Sequence, residues 1–146
     1  MLKELCKTYE IENHVEFKLN FKFEYLLEYL AQSTVGIHTM IDEHFGIGVV
    51  ECMAAGLVMV AHASAGPKMD IVVPYRGEKT GLLADTDEQY CDSLYSIYKM
   101  DPKKRASIRA AAREHVKKFS QEKFNSDFLD TFNDLCFSVY FPKKDE

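Results

Sequence analysis

The chain has no tryptophan, and only four cysteines and four prolines are spread over its 146 residues. Cys6, Cys52, Cys91 and Cys136 lie far apart; none belongs to a Cys-x-x-Cys pair and none has a histidine at ligand spacing beside it. This excludes a disulfide-stapled scaffold and a structural zinc site, and it fits a reducing cytosolic setting. Long apolar runs are missing too: the longest, Leu135 to Pro142, falls far short of the roughly 20 residues that span a bilayer. Charges interrupt Met1 to Lys7 too often for a signal peptide, so export is not expected. Positive charge is in deficit, with 18 Lys and Arg against 23 Asp and Glu and a net charge of −5. A nucleic-acid partner is therefore not expected, since such a surface does not attract polyanions as a whole.

What is present suits one folded core. Hydrophobic residues make up 47% of the chain, charged residues 28% and aromatic residues 12%, enough apolar surface to offset the ordering entropy of a single domain over residues 1–146. Periodicity places a helix at Leu2 to Tyr9, an alternating strand at Val15 to Leu19 and a helix at Glu24 to Gln32. Buried strands follow at Val35 to Thr39, Leu57 to Ala61 and Gly81 to Ala84, with a helix at Ile47 to Ala55 that Gly56 ends and a short helical piece near Lys68 to Val72. Asp85 or Thr86, Asp101-Pro102 and Ser120 each suit a helix start, the last opening a helical tail over 120–140. The alternation predicts an α/β fold, a Rossmann-like doubly wound parallel sheet. Such sheets bind ligands at the carboxyl ends of their strands.

That rule directs attention to the loop after Thr39. Glu43-His44-Phe45-Gly46-Ile47-Gly48 ends in a helix start, whose free N–H groups and positive dipole end favour phosphate or sugar oxygens. Gly46 and Gly48 let a ligand approach the backbone, while Glu43 and Glu51 can each accept two hydrogen bonds from a vicinal diol. Spacing alone does not single them out, because Glu4/Glu12, Glu16/Glu24 and Glu114/Glu122 are also eight apart. Without context, both glutamates read equally as solvated carboxylates on a loop and a helix.

Context comes from the whole segment. Glu43 to Gly56, EHFGIGVVECMAAG, closely resembles the Glu, seven residues, Glu signature of retaining GT-B glycosyltransferases of the family-four type. Its continuation Ala61 to Pro74 is similar to the GDP-mannose users among them, and the likeness extends over Val15 to Phe119. The resemblance implies retaining transfer of mannose from GDP-mannose, in alpha-1,2 linkage, to a dolichol-linked oligosaccharide of N-glycan assembly. The setting it implies is the cytosolic face of the endoplasmic reticulum membrane, reached through an N-terminal part. No metal or other cofactor is implied. By position, Glu43 matches the glutamate on the transferred hexose, Phe45, Gly46 and Ile47 match the loop that touches sugar and phosphate, and Glu51 matches the glutamate on the ribose.

Departures from the pattern carry their own expectations. Ala65-Gly66 stands where the family commonly has Gly-Gly, and Ala65 restricts a backbone approach that glycine allows. The family's C-terminal domain also opens with two strands and an Arg/Lys pair for the diphosphate. Nothing before Val15 matches these, so the resemblance implies an incomplete domain, inactive by itself, with Val15 to Leu19 unpaired or paired with Val35 to Thr39. Two alternatives stand beside this reading: a related enzyme using another nucleotide sugar, and a non-catalytic nucleotide-binding or regulatory fragment.

Other residues are secondary candidates. His38, His44 and His62 lie at or near strand ends, where a neutral imidazole can donate to phosphate or sugar; His44, inside the signature, is a donor-binding candidate. Gly66 and Lys68 belong to the second motif, and Lys68 can meet a phosphate or stay solvated. Arg105, Arg109, Arg113 and Lys117 form a basic stripe suited either to an anionic leaflet or to an ordinary solvated face. Phe124, Phe128, Phe132, Leu135 and Val139 stripe the last helix, as core or domain-interface packing requires.

Overall fold

The computed structural model describes residues 1–20 and 22–140, with side chains to residue 136. In chain order the elements are α1 (Leu2–Thr8), a 3-10 turn (Glu12–His14), α2 (Phe23–Gln32), β1 (Val35–His38), α3 (Ile47–Ala55) and β2 (Val58–His62). A π turn (Pro67–Ile71), β3 (Gly81–Ala84), α4 (Asp87–Lys99), α5 (Pro102–Val116), a 3-10 turn (Lys117–Phe119) and α6 (Gln121–Tyr140) complete them. The three strands pair in parallel in the order β1-β2-β3, with Val35 opposite Val58 and Met59 opposite Gly81. All their carboxyl ends therefore point the same way.

Each helix has a local cause. Gly56 ends α3 at φ 92°, its N–H donating to the carbonyls of Cys52 and Met53, a conformation in which glycine has no Cβ penalty. Thr86 caps α4 by accepting the Gln89 N–H, and Asp101 caps α5 through Lys103 and Lys104 N–H, with Pro102 in the first turn. Two clusters of buried side chains hold the layers. Val49 and Met53 of α3 pack with Met59, Ala61 and Ile71, while Val58, Val60 and Ala84 meet Ile97 of α4; α5 reaches both clusters, through Ala112 and Val116 in the first and Ile108 in the second.

Three readings of the sequence change. Val15 to Leu19 is not a strand, though it is unpaired, one of the two arrangements expected of it: Val15 is extended, but the segment pairs with no strand among the described residues, and Leu19 is 74% exposed. Its alternation lacks the neighbour whose N–H and C=O groups would complete a ladder. The basic stripe is not a free face either. Arg109 Nε donates to the Gly56 carbonyl, and Arg113 Nη2 donates to the Ala55 carbonyl at 2.7 Å, so two of its four cations close the end of α3. Finally, Phe124, Phe128 and Phe132 stack ring on ring along α6 but stay exposed, Leu135 is exposed as well, and the Val139 side chain lies outside the described residues.

Candidate functional site

Parallel pairing brings the ends of β1 and β2 side by side, and the loops that leave them are latched together. From the first loop, the Asp42 N–H donates to Ser64 Oγ at 2.9 Å; from the second, the Gly66 N–H donates to the Glu43 carbonyl at 2.9 Å. Ser64 Oγ also bonds His62 Nδ1 at 2.8 Å. Gly66 is required here in the strict sense: a Cβ on it would stand 2.4 Å from the Phe45 carbonyl oxygen and 2.5 Å from that of His44. The neighbouring Ala65 sits at φ 38°, in the left-handed region that glycine enters freely and alanine does not.

This latch positions Glu43. Its Oε2 lies 3.6 Å from Nε2 of His38, both side chains are about three-quarters covered, and His38 Nδ1 is buried with no partner among the described residues. The Tyr90 hydroxyl fixes the end of β1 by donating to the His38 carbonyl at 2.8 Å. Gly46, at φ 98°, turns the chain into α3, whose start no side chain among the described residues caps. The helix opens with N–H groups that have no acceptor of their own. Around this opening Ile41, Phe45 and Ile47 are exposed, and the Phe45 ring stands edge-on to Phe119 at 5.1 Å.

Of the residues singled out in the sequence, Glu43, Phe45, Gly46 and Gly66 meet in this latch. His44 contributes its carbonyl to the close approach, and its side chain is exposed. Ile47 begins α3. Glu51 stands elsewhere: it is exposed on α3 and lines a groove of about 350 Å³ with Phe23, Leu27, Leu30 and Ala31 of α2. Burial, with the Glu51 carboxylate beside it, pushes the neighbouring Cys52 thiol up, so the thiol stays protonated. Lys68 is exposed on the π turn, its N–H donating to the Ser64 carbonyl. Ser64, Tyr90 and Phe119 were not legible as site residues, because each acts through a contact between segments distant in sequence. A cleft of about 560 Å³ continues outward from Phe45 along Phe119, Phe124 and Phe128.

An uncapped helix start beside a carboxylate is a place where phosphate and sugar oxygens can both be met. Residues 1–115 match the family model described as glycosyl transferases group 1. The chain belongs to this family. As a group 1 glycosyltransferase it is 47% identical over 134 residues to the human protein named GDP-Man:Man(3)GlcNAc(2)-PP-Dol alpha-1,2-mannosyltransferase, covering 92% of this chain and 27% of that one. It thus spans about a quarter of the length of the curated relatives it matches. Its fold is that of a sucrose-phosphate synthase from Thermosynechococcus elongatus, with a TM-score of 0.76 at 24% identity over 94% of this chain and 34% of the other. The C-terminal domain of a group 1 glycosyltransferase from Francisella tularensis gives 0.64 at 20% identity, over 80% and 59%. These likenesses show the GT-B type of parallel sheet with flanking helices.

Proposed function

We propose that this chain, residues 1–146, is the donor-binding part of a retaining mannosyltransferase. It would use GDP-mannose to extend a dolichol-linked oligosaccharide in alpha-1,2 linkage at the cytosolic face of the endoplasmic reticulum. Glu43 is assigned to the hydroxyls of the mannose and Glu51 to the ribose. The open start of α3, with Phe45, Gly46, Ile47 and His44, is assigned to the sugar and the diphosphate, with Gly66 and Lys68 from the second loop. The observation that carries this reading is Glu43, fixed through its backbone carbonyl by the Gly66 N–H, beside the uncapped start of α3 at the carboxyl end of β1. The relative's name supplies mannose, GDP and the dolichol-linked acceptor.

In the proposed reaction the leaving diphosphate takes the acceptor proton, and no metal is needed. The protein supplies donors aimed at the charge that develops on the phosphate oxygens. Glu43 then orients the hexose rather than attacking it, a role that suits a carboxylate on a loop whose backbone is fixed by the Gly66 N–H. Calorimetric titration with GDP-mannose, GDP and a UDP-sugar tests the reading. Selective binding of the guanine nucleotides is expected, and Glu51→Ala should weaken it by about tenfold or more, the worth of one charge-assisted pair. Equal binding of the UDP-sugar, or no change in the variant, would refute the assignment.

A further inference from the structure

Asp42 and Ala65, one in each loop of the latch, both lie in the left-handed region, at φ 54° and φ 38°. Neither is a glycine, and an L side chain there crowds its own backbone, so such a conformation persists only where neighbouring contacts impose it. The residue that touches both is Ser64. It precedes Ala65 in the chain, and its hydroxyl takes the Asp42 N–H at 2.9 Å. We propose that Ser64 is a positioning residue of the donor site: through the Asp42 backbone it sets the direction in which Glu43 is presented to the hexose. The hexose rests on the function proposed above.

Ser64 is tied from several sides. Its Oγ accepts the Asp42 N–H, so its own proton turns to His62 Nδ1 at 2.8 Å, and the hydroxyl is fixed between the two. Its carbonyl accepts the Lys68 N–H at 3.3 Å, which joins it to the π turn. Among the described residues, two hydrogen bonds link the first loop to the second: Asp42 N–H to Ser64 Oγ, and Gly66 N–H to the Glu43 carbonyl. The second runs from backbone to backbone. Only the first depends on a side chain, so a change of residue type at position 64 removes it and leaves the other in place.

Those two anchors bracket Glu43. Only the φ and ψ angles of Asp42 and Glu43 lie between them, and these angles set where the Glu43 side chain leaves the backbone. With both bonds made the angles have little room. Without the Ser64 bond, Asp42 can leave φ 54° for the negative-φ basins that L residues prefer, and a rotation there swings Glu43 as a whole. A hexose that must be oriented is sensitive to such a shift. A diphosphate at the start of α3 is less so, because Val49 and Met53 hold that helix in the core independently.

The test is calorimetric titration of the 146-residue chain with GDP-mannose and, separately, with GDP. Ser64→Ala should lose about tenfold in GDP-mannose affinity, as when one hydrogen bond to a charged group is lost, while GDP, which has no hexose, binds as it does to wild type. Ser64→Thr, which keeps the hydroxyl, should restore the affinity. Ser64→Ala added to Glu43→Gln should cost nothing further, because the serine acts through the glutamate. Urea melts check that each variant is folded, and an alanine variant that does not fold is replaced by Ser64→Cys, whose thiol is a weaker acceptor. Equal losses for GDP and GDP-mannose, a threonine variant no better than alanine, or a further loss on top of Glu43→Gln would each overturn the inference. A wild-type chain that does not bind GDP-mannose defeats the donor reading and this inference with it; a wild-type chain that binds, with Ser64→Ala unchanged, defeats the inference alone.

Discussion

At Gly66 one absent methyl group decides whether the two loops of the site can meet. The Cβ of an alanine there would overlap backbone atoms of His44 and Phe45, and backbone cannot swing aside as a flexible side chain does. Gly66→Ala should therefore lower stability by about 1–3 kcal/mol, seen as a shift of the urea midpoint. It should also weaken donor binding, because the latch between the Glu43 carbonyl and the Gly66 N–H has to open. An unchanged midpoint would show that the loops are not in contact. Gly66 was legible only through the likeness of Ala61 to Pro74 to the family's second motif, and Glu43 only through the family signature, whereas Gly46 was legible as a glycine in a loop that opens a helix after a buried strand. His38 as the companion of Glu43 was not readable in the same way. The two stand five positions apart, and only the turn between β1 and α3 brings them to 3.6 Å.

Elements were read well wherever their signals were local. The helices from α3 onward carry their own stops and caps, and the sequence placed them within a residue or two. β2 begins at Val58 rather than Leu57 because the Leu57 N–H still closes the end of α3 on the Cys52 carbonyl. Val15 to Leu19 shows the opposite case, since a strand is defined by a partner that alternation cannot supply. The basic stripe of α5 was misread for a related reason: four-residue spacing reports a face, not what the face meets. Two of its arginines lie on the carbonyls of α3, where cations favour the negative end of the helix dipole. Arg109→Ala should cost about 1–2 kcal/mol through the loss of a charged hydrogen bond in a partly covered place. A urea series with an unchanged slope would measure it, and a midpoint equal to wild type would refute the clamp.

Across the whole molecule, α5 also carries the one histidine buried in the core among the described residues. His115 packs against Tyr75 and Phe119, and its Nε2 donates to the Asp70 carbonyl at 3.2 Å, an acceptor shared with Lys118 Nζ. Burial holds its pKa below the ordinary 6.5, and the nearby Lys118 charge acts in the same direction. The unfolded chain thus binds a proton that the folded chain refuses. His115 contributes its full stability above pH 6.5 and loses it as the pH falls from there through the lower folded value. Thermal melts from about pH 7.5 down to about pH 5 should show a declining Tm, and His115→Gln should flatten the decline. A variant that declines as steeply as wild type would assign the loss to other groups.

The clamp on α3 also bears on the thermodynamics of ligand capture. A helix fastened at its rear and packed along Val49 and Met53 stands ready before any ligand arrives. A ligand meeting its open end has no segment to order, so little of the interaction energy is diverted into conformational entropy. Heats measured at several temperatures should therefore reveal only a small heat-capacity change, set by the ligand's own buried surface, rather than the large negative change that accompanies folding on binding.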